Sequence, residues 1–121
     1  MSSTHTAVLK KNPLLRDLQE EDLQKVLNIC LRQTFQKGYT LFREGDQAHG
    51  FYILVSGKVK IFKLSPYGKE YTMCIIRPGE NFAQVPLFFG DSFPASASAV
   101  SPAEVLYIEE NAFISLIKEK F

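Results

Sequence analysis

Cysteine is scarce in this 121-residue chain. Cys30 and Cys74 stand far apart with no CxxC spacing, so no metal-binding or redox pair is written into the sequence, and a cytoplasmic chain with reduced thiols is the expectation. Histidine is as scarce: His5 and His49 read as ordinary surface residues, because one imidazole without a partner makes no metal site. Neither sign of charge dominates. Lys and Arg number 14 against 13 Asp and Glu, a net charge of +1 with the basic residues scattered, which argues against a nucleic-acid-binding surface in this segment. Long apolar runs are missing, so no transmembrane helix and no membrane partner is expected. The N-terminus MSSTHTAVLKKNP carries no apolar stretch behind positive residues, which reads against a signal peptide. No Asp, Ser or His spacing forms a nucleophile–base pair and no Walker-type loop occurs. No catalytic residue, no metal ligand and no enzyme activity are expected.

What is present is apolar periodicity. A hydrophobic content of 45% over this length allows one buried core rather than two. Residues 1–11 are polar and small and read as a flexible leader, leaving 12–121 as the folded unit. Asn12-Pro13 reads as an N-cap and first helical residue. Leu14, Leu15 and Leu18 follow, then Leu23, Val26, Leu27 and Cys30 at i, i+3, i+4 and i+7. The spacing predicts a helix over about 13–33 with a break near Gln19, and it places Cys30 in packing rather than in chemistry.

After Thr34 the texture is that of short strands, punctuated by Gly38, Gly45-Asp46, Gly50, Gly57 and the hairpin connection Ser65-Pro66-Tyr67-Gly68-Lys69. From Lys58 to Lys63 basic and apolar residues alternate, predicting one wet and one buried face, with the lysines as edge protection. From Glu70 to Ile76, Thr72, Cys74 and Ile76 share an inward face, and Tyr71, Met73 and Ile75 the other. Asn111 is expected to cap a last helix over 112–118 with Phe113, Ile114 and Ile117 inward. Many short strands between terminal helices predict a mainly β fold with flanking helices, an antiparallel β-roll or jelly roll. Between Arg77 and Ser98, RPGENFAQVPLFFGDSFPASAS combines a turn, one buried helical turn and a return to strand. That order can present backbone N–H groups to an anion.

Phe42-Arg43-Glu44-Gly45-Asp46, then the run from Phe51 to Lys60, then Gly68-Lys69-Glu70, then Pro78-Gly79-Glu80 followed by Phe82 are each weak alone and strong in register. Together they resemble the cyclic-nucleotide-binding domain of Crp/Fnr-type bacterial transcription regulators, from about Asn12 to Phe121. The resemblance implies a β-roll preceded by a helix, a short phosphate-cassette helix inside it and a helix after it. Gly45, Gly57, Gly68 and Gly79 then stand where strands end and φ turns positive. In full regulators a long dimerisation helix and a helix-turn-helix domain follow. The resemblance therefore implies a homodimer that meets DNA only through a domain missing from this chain, and an effector that shifts the packing between cassette and long helix.

Nucleotide-binding members of that family carry Gly-Glu-Leu and, after a loop, Arg-Ser/Thr-Ala. There the glutamate takes the ribose hydroxyl and the arginine holds the cyclic phosphate. Matched without a gap, the glycine position is Ala83, the glutamate position Gln84, the arginine position Pro94 and the serine position Ala95. Gln84 can still accept a hydrogen bond, but Pro94 offers neither a cation nor an N–H. Two bonds from a charged donor at roughly 1.5–3 kcal/mol each correspond to a loss on the order of a hundred- to ten-thousand-fold in affinity. Cyclic AMP and cyclic GMP are therefore expected to bind poorly or not at all. The family's base- and sugar-facing positions map to Ile61, Cys74 and Ile76, with Phe82, Ala83, Gln84, Val85, Pro94, Ala95 and Ser96 around the cassette. Such a lining suits an uncharged or aromatic effector, whose identity the sequence does not name, or simply a filled roll. A cyclic nucleotide held by some other cation is the remaining alternative. No cofactor is expected: iron–sulfur chemistry needs a cysteine cluster, and a haem-sensing relative would need His5 or His49 as its ligand.

Overall fold

Six consecutive buried residues, Gly50 to Val55, mark the strand around which the chain is packed. The computed structural model describes residues 3–82 and 92–120. The helices are α1 (Ser3–Lys11), α2 (Glu20–Ile29) and α3 (Glu110–Lys120). The strands are β1 (Cys30–Phe35), β2 (Thr40–Phe42), β3 (Gly50–Ser56), β4 (Val59–Leu64), β5 (Glu70–Ile76), β6 (Asn81–Phe82), β7 (Ser96–Ala99) and β8 (Ala103–Glu109). They form two four-stranded antiparallel sheets, ordered β1-β8-β3-β6 and β2-β7-β4-β5. This is the roll with flanking helices that the pattern predicts.

The central strands of the first sheet, β3 and β8, are covered on both faces. Phe51, Ile53, Val55, Leu106 and Ile108 pack beneath the helices with Leu9, Leu15, Leu23, Val26 and Leu27. Tyr52, Leu54 and Val105 point the other way, into the roll, against Phe42, Val59, Phe82, Phe93, Ala97 and Ala99. Successive strand residues face opposite sides, so a strand covered on both sides reads as an unbroken apolar run. At about 1.5–3 kcal/mol for each fully buried large side chain, these two layers are the main source of stability.

The chain ends differ from expectation. Residues 3–11 are not a loose leader but helix α1, with His5, Val8 and Leu9 buried and Lys10 and Lys11 in its last turn, where cations suit the dipole. The helix expected over 13–33 is split. Asn12 O accepts the Leu15 and Arg16 N–H groups at 3.1 and 2.8 Å, a turn that buries Leu15. The expected break at Gln19 is where α2 begins, and α2 stops at Ile29. Cys30 takes an extended backbone (φ −77°, ψ 143°) and opens β1, because residues 30–35 gain a continuous ladder with β8. Its buried thiol donates to Val26 O at 3.1 Å, and burial pushes that thiol up to about 12, as fits a packing role. At the other end α3 starts at Glu110. Its cap is Glu109, whose Oε2 accepts the Ala112 N–H at 2.7 Å, and not Asn111. Phe113 and Leu116 pack on the core while Ile117 is exposed.

Candidate ligand pocket

The second sheet supplies the wall that the sequence points to. Across it, Ala97 of β7, Ile61 of β4 and Cys74 of β5 lie in one row, and Ala99, Val59 and Ile76 in another. Isoleucine flanked by alanine leaves relief on that surface, and Ile61 and Ile76 are half-buried against the interior cluster. Phe82 reaches the same interior from β6, buried and stacked on Tyr52 with ring centroids 5.1 Å apart. Pro94 is exposed, one residue before the buried run 95–99. Ala95 is buried, and the buried Ser96 has its hydroxyl committed to the Glu44 N–H at 2.8 Å. Ala83, Gln84 and Val85 lie outside the described residues.

Two expectations about this sheet are corrected. Its edge strands are β2 and β5, whereas β4 runs between β7 and β5, so the lysines of β4 protect no edge. Lys60 instead pairs with Glu70 of β5. The ladder also slips: Ile61 pairs with Cys74 but Phe62 with Thr72, leaving Met73 without a partner. One extra residue reverses the alternation, so Thr72 leaves the face of Cys74 and Ile76. Cys74 keeps its place beside Ile61, yet it is exposed rather than inward. Its thiol is reachable from solvent.

Behind this wall the roll is filled by aromatic rings. Phe42 stacks on Phe93 at 3.8 Å between centroids and faces Tyr52 at 5.7 Å, and Tyr52 meets Tyr107 at 5.1 Å. Burial, then the neighbouring Tyr107, push Tyr52 up to about 12. Burial, then Glu109 and Glu110, raise Tyr107 as well, so both phenols stay neutral hydrogen-bonding groups. Phe42, Tyr52, Phe93 and Tyr107 line a cleft of about 240 Å³ together with Gln33 and His49, and Ile61, Cys74, Ile76 and Phe82 are not among its lining residues. Periodicity gives no sign of it, since its residues come from β1, β2, β3, β8 and two loops. His5 sits elsewhere, buried on α1 with Nε2 2.6 Å from Glu104 Oε2. Among the described residues no group of three or more His, Cys, Asp or Glu is placed to hold a metal ion, and none of their helices is long and apolar enough to cross a membrane.

The sequence profile described as "Cyclic nucleotide-binding domain" matches residues 32–120. The chain is 31% identical over 110 residues to the "Cyclic AMP receptor protein" of Thermus thermophilus, covering 91% of this chain and 51% of that protein. It is 32% identical over 105 residues to the "Anaerobic regulatory protein" of Bacillus subtilis, covering 85% and 44%. Among solved structures, the sensor domain of the transcriptional regulator DNR from Pseudomonas aeruginosa superimposes with a TM-score of 0.86 at 30% identity, covering 94% of this chain and 77% of that one. The chain spans about half the length, or less, of these curated relatives.

Proposed function

The chain belongs to the cyclic nucleotide-binding domain family, and on that basis we propose that it senses an effector other than cyclic AMP. Its relatives include the sensor domains of Crp/Fnr-type regulators, and in this reading it works as the effector domain of one. The whole regulator is then a homodimer that meets DNA through other domains. The observation that carries the reading is the missing cation. None of Ile61, Cys74, Ile76, Phe82, Ala83, Gln84, Val85, Pro94, Ala95 and Ser96 is basic, and position 94 is an exposed proline. The Thermus relative is named for cyclic AMP. Carrying that ligand across requires a positive charge that these positions do not supply.

Calorimetry with cyclic AMP and cyclic GMP, followed by a thermal-shift screen of small metabolites, tests the proposal. The expected outcome is no low-micromolar binding of either nucleotide and a raised melting temperature with an uncharged or aromatic compound. Low-micromolar binding of cyclic AMP overturns it. A second reading, a ligand-free roll that serves as a structural module, draws on the aromatic stack of Phe93, Phe42, Tyr52 and Phe82 that already fills the interior. An exhaustive screen without a hit favours it.

A further inference from the structure

Asn12 is wholly buried between α1 and α2, and no feature of the pocket wall accounts for it. Its amide is fully used. Oδ1 accepts the Leu14 N–H at 2.9 Å, while Nδ2 donates to Gly79 O at 3.0 Å and to Asn81 Oδ1 at 3.1 Å. Those partners fix how the amide faces, because the flipped group would set oxygen against the Gly79 carbonyl. A leucine would fill the same space, but only an amide offers an acceptor towards residue 14 and a donor towards residue 79.

Gly79 belongs to the turn that leads out of β5. The turn is closed by Arg77 N–H to Glu80 Oε1 at 2.7 Å and Glu80 N–H to Arg77 O at 3.0 Å. It is docked on β3 by Gly79 N–H to Leu54 O at 2.8 Å and Leu54 N–H to Glu80 O at 3.0 Å. Asn81 and Phe82 follow as β6, and the next residues in the chain are Ala83, Gln84 and Val85. α1 meets this turn a second time, since a Cβ on Gly79 would stand 3.3 Å from Lys11 Cβ. The far end of α1 is anchored as well. His5 Nε2 meets Glu104 Oε2, which also accepts from Arg32 Nε at 2.8 Å.

We propose that Asn12 is a positioning residue of the ligand pocket. It ties the turn at 77–80 to the end of α1 and so sets where β6 places Phe82, and the His5–Glu104 contact holds the other end of α1. This rests on the reading that Phe82 takes part in effector binding. Hydrogen exchange on the unliganded chain tests the mechanical link by itself, so its result does not depend on whether any compound binds. Two variants are compared with wild type. N12D keeps the acceptor for the Leu14 N–H and removes the donor to Gly79. H5Q disturbs the remote anchor and leaves the turn's own residues intact.

The expected result is that the Gly79 and Leu54 amides exchange about tenfold faster in both variants, while the Leu106 and Ile108 amides stay within about twofold of wild type. The H5Q arm is the readout that a local packing role for Asn12 would not move. If H5Q opens residues 3–9 and leaves Gly79 as protected as before, the proposal is wrong. If N12D raises exchange equally everywhere, Asn12 is a core residue only. Should N12D fail to fold, H5Q still decides: faster exchange at Gly79 supports the proposal, and unchanged protection there overturns it.

Discussion

Replacing Pro94 with arginine puts back the group whose absence defines the proposed ligand class. The position tolerates the change. Pro94 is exposed, and the backbone around it is pinned on both sides. Phe93 N–H donates to Asp46 O and Gly45 N–H to Phe93 O, each at 2.9 Å, and the Ser96 hydroxyl accepts the Glu44 N–H at 2.8 Å. An arginine at an exposed position buries no charge in the free protein, so its folding cost is small. Two charged hydrogen bonds to a cyclic phosphate at about 1.5–3 kcal/mol each total about 3–6 kcal/mol. Ordering the side chain costs up to about 2 kcal/mol. The remaining 1–4 kcal/mol corresponds to roughly a five- to thousand-fold gain in affinity for cyclic AMP. Calorimetry of wild type, P94A, P94R and P94R/A95S reads it. P94A separates the loss of proline rigidity from the gain of a cation, and A95S restores a hydroxyl at a buried site. The reasoning fails if P94R melts like wild type yet binds cyclic AMP no better than P94A. It fails equally if wild type already binds in the low-micromolar range.

Other outcomes follow from the fold. F42A removes the ring stacked on Phe93 at 3.8 Å and is expected to lose about 3–5 kcal/mol in urea unfolding, with F42L losing clearly less. G57A and G68A both place a side chain at positive φ (87° and 83°), a penalty of about 1–2 kcal/mol. A Cβ at 57 would also fall 2.2 Å from Pro102 O, whereas at 68 nothing lies within 4 Å. G57A should therefore be the more damaging in the same assay, and equal losses would count against the packing at that corner. The hydrogen bond from His5, then those from Arg32, hold the Glu104 carboxyl below its ordinary value, against the effect of burial. A depressed folded value means a contribution that is complete above the unfolded glutamate range and fades as pH falls through the folded one. Wild type should exceed E104Q in stability at pH 7, and the gap should close on acidification below about pH 4; a gap that persists at pH 2 would refute this.

Single-residue chemistry was the most legible part of the fold. Gly45, Gly57, Gly68 and Gly79 all take positive φ, because that need belongs to one residue and one turn. The Ser65–Lys69 connection closes as its composition suggests, with Gly68 N–H on Ser65 O at 2.9 Å and Ser65 N–H on Lys69 O at 2.8 Å. What depended on distant partners was hidden. α1 has only the adjacent pair Val8-Leu9 to show, and β3, the strand it packs against, begins only at Gly50. Cys30 fits the helical period and the strand equally well, and the ladder with β8 decides. Asn12 reads as a helix cap, but its donor is spent on a carbonyl at residue 79. In the pocket, the wall of Ile61, Cys74 and Ile76 was legible as neighbours through the family register. The exposure of Cys74 was not, because a bulge at Met73 has no composition of its own.

The two sheets differ in burial, and the 240 Å³ cleft takes its lining from both. Shifting β3 or β8 would uncover apolar residues on both faces at once, at about 25 cal/mol for each Å² exposed, so these two strands resist displacement. β5 is different: residues 70–75 are all exposed, it pairs on one side only, and its register is interrupted at Met73. Compliance therefore belongs to the β4–β5 hairpin. The chain passes from the second sheet to the first between β5 and β6, through the turn at 77–80, and that turn is gripped by Leu54 from β3 and by Asn12, the residue that follows α1. The turn is therefore held from β3 and from the residue that follows α1, whereas β5, which leads into it, is paired on one side only among the described residues.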